Sequence, residues 1–288
     1  MAQTPRMPAA FLGHGNPMNT LARNRYTEAW RAFGGSVPRP RAVLAISAHW
    51  YINGTAVTAM ERPRTIHDFF GFPKELFAFE YPAPGAPDVA QEVVEVLKPL
   101  YAGLDGEAWG LDHGTWSVLA HVFPKADVPV LQLSIHGSQD ARYHFELGAR
   151  LAPLRDRGIM VVGSGNIVHN LRRIDWQRPD AAFDWAVRFD EAVRQAMTTE
   201  PGRVLDLAAH PDYPLAVPTP EHWLPLLYLA GLAHAAGKAA TIIVDGYDMG
   251  SLSMTSYGLD APTSGTSHGG GGPAFPDPRT IPADDTNT

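Results

Sequence analysis

Twelve histidines and no cysteine stand in a chain of 288 residues. Imidazole binds transition metals and moves protons near neutral pH. The lack of cysteine removes disulfides, thiolate metal sites, iron–sulfur clusters and cysteine nucleophiles together. A metal held by this chain must therefore sit among nitrogen and oxygen ligands, which points to iron(II), zinc, manganese or nickel.

Position sorts the histidines. His14 lies between two glycines where the apolar run of "AAFLGHGNP" stops, and His49 follows the run in "AISAHW". His136 follows "VLQLSI", and His169 lies just beyond "IMVVG" in "GSGNIVHN". A core strand would carry on with Val or Ile, and a plain turn needs no imidazole. In open α/β sheets, ligands bind in the crevice beyond the carboxyl ends of the strands. Histidines at several strand ends are thus expected to converge on one edge, with His136 open between site wall and core.

Two further histidines precede helical patterns. In "VPTPEHWLPLLYLAG", Thr219 reads as an N-cap and Pro220 as the first helical residue, which places His222 in the first turn. The positive end of the helix dipole disfavours imidazolium there and keeps the ring available to a metal. Glu221 is the alternative ligand, because adjacent helical residues point about 100° apart and only one can face a site. His113, in "WGLDHGTW", sits in a Gly-rich turn leading into a helix, and Asp112 beside it does not by itself orient the ring. His67, His144, His210, His234 and His268 read as surface, capping or tail residues, and His121 as helix packing.

These side chains need a frame. Short β-branched runs at 8–12, 42–48, 55–60, 128–135, 159–163 and 240–245, with a weaker one at 251–257, alternate with helical patterns at 87–99, 114–122, 140–154, 182–198 and 220–236. The unbroken apolar character of "VLAIS" and "IMVVG" suits strands covered on both faces. The expected fold is a single-domain α/β sandwich over residues 1–260, with a mostly parallel or mixed central sheet flanked by helices. Residues 61–85 hold five of the twelve phenylalanines and read as an ordered loop packed over something, a lid or a subunit contact. The low-complexity stretch 261–288 reads as a disordered tail.

Composition narrows the partners. A net charge of −7 without a basic block argues against nucleic acid. With no long apolar run and no leader, the expectation is a cytoplasmic protein without membrane contact, as monomer or homodimer. No P-loop, nucleophile elbow or His-Glu-x-x-His occurs, and the possible dinucleotide fingerprint after "IMVVG" lacks its third glycine, replaced by Val168.

Taken in order, "FLGHGNPMN", "AISAHW", "GLDHGTWSVL", "GSGNIVHNL", "EHWLPLLYLAG" and "SMTSYG" resemble the LigB-type class III extradiol ring-cleavage dioxygenases. The resemblance covers roughly residues 8 to 258 and is nearest the branch holding the DOPA 4,5-dioxygenases of plants and their bacterial counterparts. It implies that His14 and His49 bind metal and that the third ligand position falls at His222, where protocatechuate-cleaving relatives carry glutamate. It implies that His169 is the acid–base residue, close enough to contact the metal, and that His113 hydrogen-bonds substrate or oxygen. Iron(II) is expected for activity, and three neutral imidazoles also suit zinc, which is expected in purified protein.

The implied reaction inserts both atoms of dioxygen into a catechol-type ring and opens it. A metal with three protein ligands leaves room for catechol and dioxygen, and an imidazole takes the second hydroxyl proton. Arg62, Arg64 and Lys74 are all open as contacts for a substrate carboxylate. Two other readings use the same histidines: a zinc hydrolase or amidase, and a metal-binding module without activity.

Overall fold

The computed structural model describes residues 6–261. At its centre lies a six-stranded sheet of β1 (Ala9–Gly13), β2 (Ala42–Ser47), β3 (Val130–Gln132), β4 (Ile159–Gly165), β5 (Thr241–Val244) and β6 (Ser256–Leu259). The spatial order is β3-β2-β4-β1-β6-β5. The first four in that order run parallel, and β6 is antiparallel to both β1 and β5. The sheet is mixed, as the sequence pattern implied.

Side-chain alternation builds two cores from these strands. Phe11, Leu44, Ile46, Ile159 and Val161 face one way, and Leu12, Val43, Met160 and Val162 the other. The first face is covered by α2 (Pro87–Leu97), α4 (Ala141–Arg150), α5 (Asp184–Thr199) and α6 (Leu224–Ala235), and the second by α1 (Arg25–Ser36) and α3 (His113–Val122). Helix α6 is buried from Leu224 through Ala233, as a helix apolar on every side must be. It lies so close to α4 that a methyl group at Gly148 or Gly231 would strike the facing backbone.

Several boundaries differ from the sequence expectation. Helix α1 is absent from the expected set: Gly34 and Gly35 blur its pattern, yet Asn24 caps it by accepting the Tyr26 and Thr27 amides. The single helix expected over 140–154 breaks at Leu151, because Pro153 starts a new segment, Ala152–Asp156. The run at 128–135 divides after Gln132. Its end, Ile135–His136, pairs with Tyr51–Ile52 in a side ladder, which draws His136 away from the main sheet. From residue 262 the expected tail lies outside the described residues. Among the described residues, no helix is long and apolar enough to cross a membrane.

His144, expected as a surface, capping or tail residue, is fully buried on α4, with Nδ1 3.0 Å from the Tyr228 hydroxyl. Burial, assisted by the neighbouring His136, pushes its pKa down to about 4. As pH falls below the ordinary histidine value, the unfolded chain takes up a proton that the native ring refuses. The native state therefore loses about 1.4 kcal/mol per pH unit from this residue until the pH nears the native pKa. Urea unfolding of the parent and a His144→Phe variant near pH 7.5 and pH 5 measures this directly. The variant's stability should drop by about 2 kcal/mol less than the parent's on acidification. Equal drops would assign the acid sensitivity to other groups.

Candidate metal centre

The parallel register aligns the strand ends: Gly13 pairs with Gly165, and Ser47 with Ser164. Chain leaving β1, β2 and β4 therefore emerges at one edge, carrying His14, His49 and His169. The turn before α6 is held to the same edge, where the Asn166 amide donates to the His222 carbonyl at 2.9 Å. His113 opens α3 behind its N-cap, the fully buried Asp112, which accepts the Thr115 amide. Asp112 also accepts the Ser47 hydroxyl and the Gln132 amide, each at 2.6 Å, and so ties the start of α3 to the end of β2.

Five imidazoles meet there. Nε2 of His14 and Nε2 of His49 lie 3.5 Å apart. The ring of His49 is 3.8 Å from that of His113, centre to centre, and 5.2 Å from that of His222, which is also 5.2 Å from His14. His169 stacks on His222 at 3.5 Å with the planes 5° apart. One ring nitrogen from each of His14, His49 and His113 falls within 4.8 Å of the others, and the donor atoms of His169, Glu221 and His222 form a second such group. His136, by contrast, stays outside the cluster, with Nδ1 3.2 Å from the Ser138 hydroxyl.

What the imidazoles face is set by their Nδ1 partners. The Ser164 hydroxyl donates to the Gly114 carbonyl, so its oxygen accepts the His14 Nδ1–H at 2.9 Å. Asp68 takes His49 Nδ1–H on one carboxylate oxygen at 3.0 Å and His113 Nδ1–H on the other at 2.9 Å. Glu221, itself receiving the Thr219 hydroxyl, is 3.3 Å from His222 Nδ1. With Nδ1–H donated, the Nε2 lone pair of each ring remains for a ligand. Nitrogen donors held in this tautomer fit a borderline divalent ion such as iron(II) or zinc.

The electrostatics agree with that donor set. Burial, reinforced by the neighbouring imidazoles, lowers His14 and His222 well below the ordinary histidine value. Burial and nearby His49 bring His169 to about 4. These rings are neutral at physiological pH. His49 is raised: burial opposes the charge, but the bonded Asp68 carboxylate outweighs it. Burial likewise works against ionised Asp68, yet His113 and His49 hold its carboxyl well below the usual range.

Close packing explains the glycines around the site. Gly15 has φ +59°, and a Cβ there would lie 2.3 Å from Met254 Sδ. A Cβ on Gly114 would lie 2.4 Å from Ser47 Oγ and 2.8 Å from His49 Cδ2, so the imidazole can lie against α3 only over bare backbone.

The structure corrects one local expectation. His222 is not in the first turn of α6, which starts at Leu224; it belongs to the turn before it. There Glu221 and His222 are not confined to helical directions, and both reach the His169 group. The sequence reading missed Asp68 and Ser164. Asp68 sits in the aromatic loop, where its neighbours "IHDFF" give no periodic signal, and Ser164 is one small polar residue inside a strand. Arg64, one of three open candidates for a substrate carboxylate, donates instead to the Ala108 carbonyl at 2.9 Å.

Known proteins resemble this chain in sequence and fold. Residues 14–259 match the family model described as the catalytic LigB subunit of aromatic ring-opening dioxygenase. A 4,5-DOPA dioxygenase extradiol from Escherichia coli K12 is 51% identical over 255 residues, covering 87% of this chain and 94% of that protein. The protein of the same name from Beta vulgaris is 36% identical, covering 86% of this chain and 94% of its own. A crystal structure of an uncharacterized Escherichia coli K12 protein superposes with a TM-score of 0.78 at 47% identity, covering 88% of this chain and 100% of that one. The chain belongs to the LigB family of aromatic ring-opening dioxygenases, in the branch of the 4,5-DOPA extradiol dioxygenases.

Proposed function

We propose that this extradiol ring-cleavage dioxygenase opens a catechol-type ring with dioxygen at a divalent metal ion held by His14, His49 and His222, with His169 close enough to join them. The observation that carries the reading is the clustering of His14, His49 and His222 with the Nδ1 of each engaged, leaving Nε2 free on each. Iron(II) is the ion proposed for activity, with zinc able to occupy the same nitrogen set. When bound, such an ion acidifies a catechol hydroxyl and brings the ring beside dioxygen.

The remaining steps belong to the protein. His169 is half-buried and neutral, as a base must be before it accepts the second hydroxyl proton and later returns it. His113 is held by Asp68 at Nδ1, which leaves its Nε2 lone pair to accept a hydrogen bond from a substrate hydroxyl. The aromatic loop closes this side: the Phe69 ring lies 5.4 Å from that of His113 and 5.3 Å from that of Phe72, an apolar wall that keeps water from the reacting oxygens. The family match favours neither a hydrolase nor an inactive metal-binding module.

Metal analysis and oxygen uptake test these assignments together. His14→Ala and His49→Ala should each bind metal far more weakly than the parent after iron loading. His169→Ala should keep its metal and lose about 10²- to 10⁴-fold in turnover, the usual worth of an acid–base residue. A His14→Ala protein that binds metal like the parent would overturn the ligand assignment. For the reaction itself, anaerobic iron(II) loading followed by catechol and air should consume one dioxygen per ring opened, with a yellow product. Catechol loss without oxygen uptake would exclude a dioxygenase.

A further inference from the structure

We propose that Asp68 is a positioning residue: by accepting Nδ1–H from His49 and His113 on its two oxygens, it fixes the tautomer of both rings at once. The inference rests on the reading of His49 as a metal-facing imidazole. Asp68 is delivered by the aromatic loop, between His67, whose Nε2 is 2.9 Å from the Phe79 carbonyl, and Phe69, packed on α3. The loop thereby sets the chemistry of a ring attached to β2 and of another attached to α3.

The hydrogen bonds are unequal in a way that makes the idea specific. One oxygen, Oδ1, accepts two donors, the His113 amide at 3.0 Å and the His113 Nδ1–H at 2.9 Å. Among the described residues, the other, Oδ2, accepts only His49 Nδ1–H, at 3.0 Å. A backbone amide can donate but never accept. If Asp68 became asparagine, its single carbonyl oxygen would stay on the His113 side and its NH₂ would face His49. His49 would then have to offer a lone pair at Nδ1 and carry its proton on Nε2, the nitrogen that faces His14. Asp68→Asn should therefore disable His49 as a ligand and leave His113 as it was. The carboxylate also bridges rings only 3.8 Å apart, which a neutral amide bridges with less attraction.

Three measurements test this. In metal-free parent protein, nitrogen-15 spectra in alkaline solution, where the rings are neutral, should show the proton on Nδ1 of both His49 and His113. In Asp68→Asn the His49 proton should move to Nε2 while His113 is unchanged, a response that simple loosening of the loop would not give. Zinc and iron(II) affinities from chelator competition should fall about 10- to 100-fold in Asp68→Asn, the range for loss of such an outer partner. The double variant His49→Ala/Asp68→Asn should bind metal no more weakly than His49→Ala alone. A parent His49 with its proton on Nε2 overturns the proposal even if no variant folds. So does an Asp68→Asn protein with parental metal affinity, or a double variant in which the losses add. If His49→Ala itself keeps full metal affinity, the metal assignment of His49 is the part that fails.

Discussion

Five imidazoles packed against one another impose the constraint on which the rest of this structure depends. Out of water each ring must remain neutral or find a counter-charge, and each N–H must find an acceptor. For four of the five the protein supplies an acceptor at Nδ1, using Ser164 for His14, Asp68 for His49 and His113, and Glu221 for His222. With Nδ1 engaged, Nε2 of His14 and Nε2 of His49 are left facing each other 3.5 Å apart. A cluster that would otherwise be a cost to folding becomes a nitrogen-lined pocket.

Holding those acceptors in place is the work of the sheet edge. Parallel pairing of β1, β4 and β2 places their ends side by side, and glycines at 13, 15, 114 and 165 let backbone and rings approach without side chains between them. Asp112 then spans β2, β3 and α3 through Ser47, Gln132 and its own cap bond, so the arm bearing His49 and the helix bearing His113 keep one relative position. Such an edge suits a reaction that needs a flat ring, dioxygen and a proton carrier within a few ångströms of each other.

Much of this frame is legible in the chain. Runs such as "VLAIS" and "IMVVG" fill both cores from buried strands, and the histidines just past them do come together. The local signals failed where two patterns overlapped. Pro220 and Thr219 look like a helix start, yet the helix begins at Leu224, because the turn is anchored by the Asn166 amide to the His222 carbonyl rather than by a cap. His136 follows an apolar run like the others, but that run leaves the sheet at Gln132 and takes the residue with it. His144 looked like a surface, capping or tail residue because a buried partner such as Tyr228, far along the chain, leaves no trace in its neighbourhood.

By itself the sequence determined the donor chemistry, imidazole without thiolate, and the attachment of those donors to strand ends, since both follow from residue type and short-range pattern. Only the tertiary structure decided which imidazoles share a pocket and which ring nitrogen each presents. The reason is distance along the chain. The acceptor for His14 is 150 residues away in Ser164, and that for His113 is 45 residues away in Asp68. A tautomer is chosen by whatever acceptor folding brings within about 3 Å, and no local pattern encodes that choice.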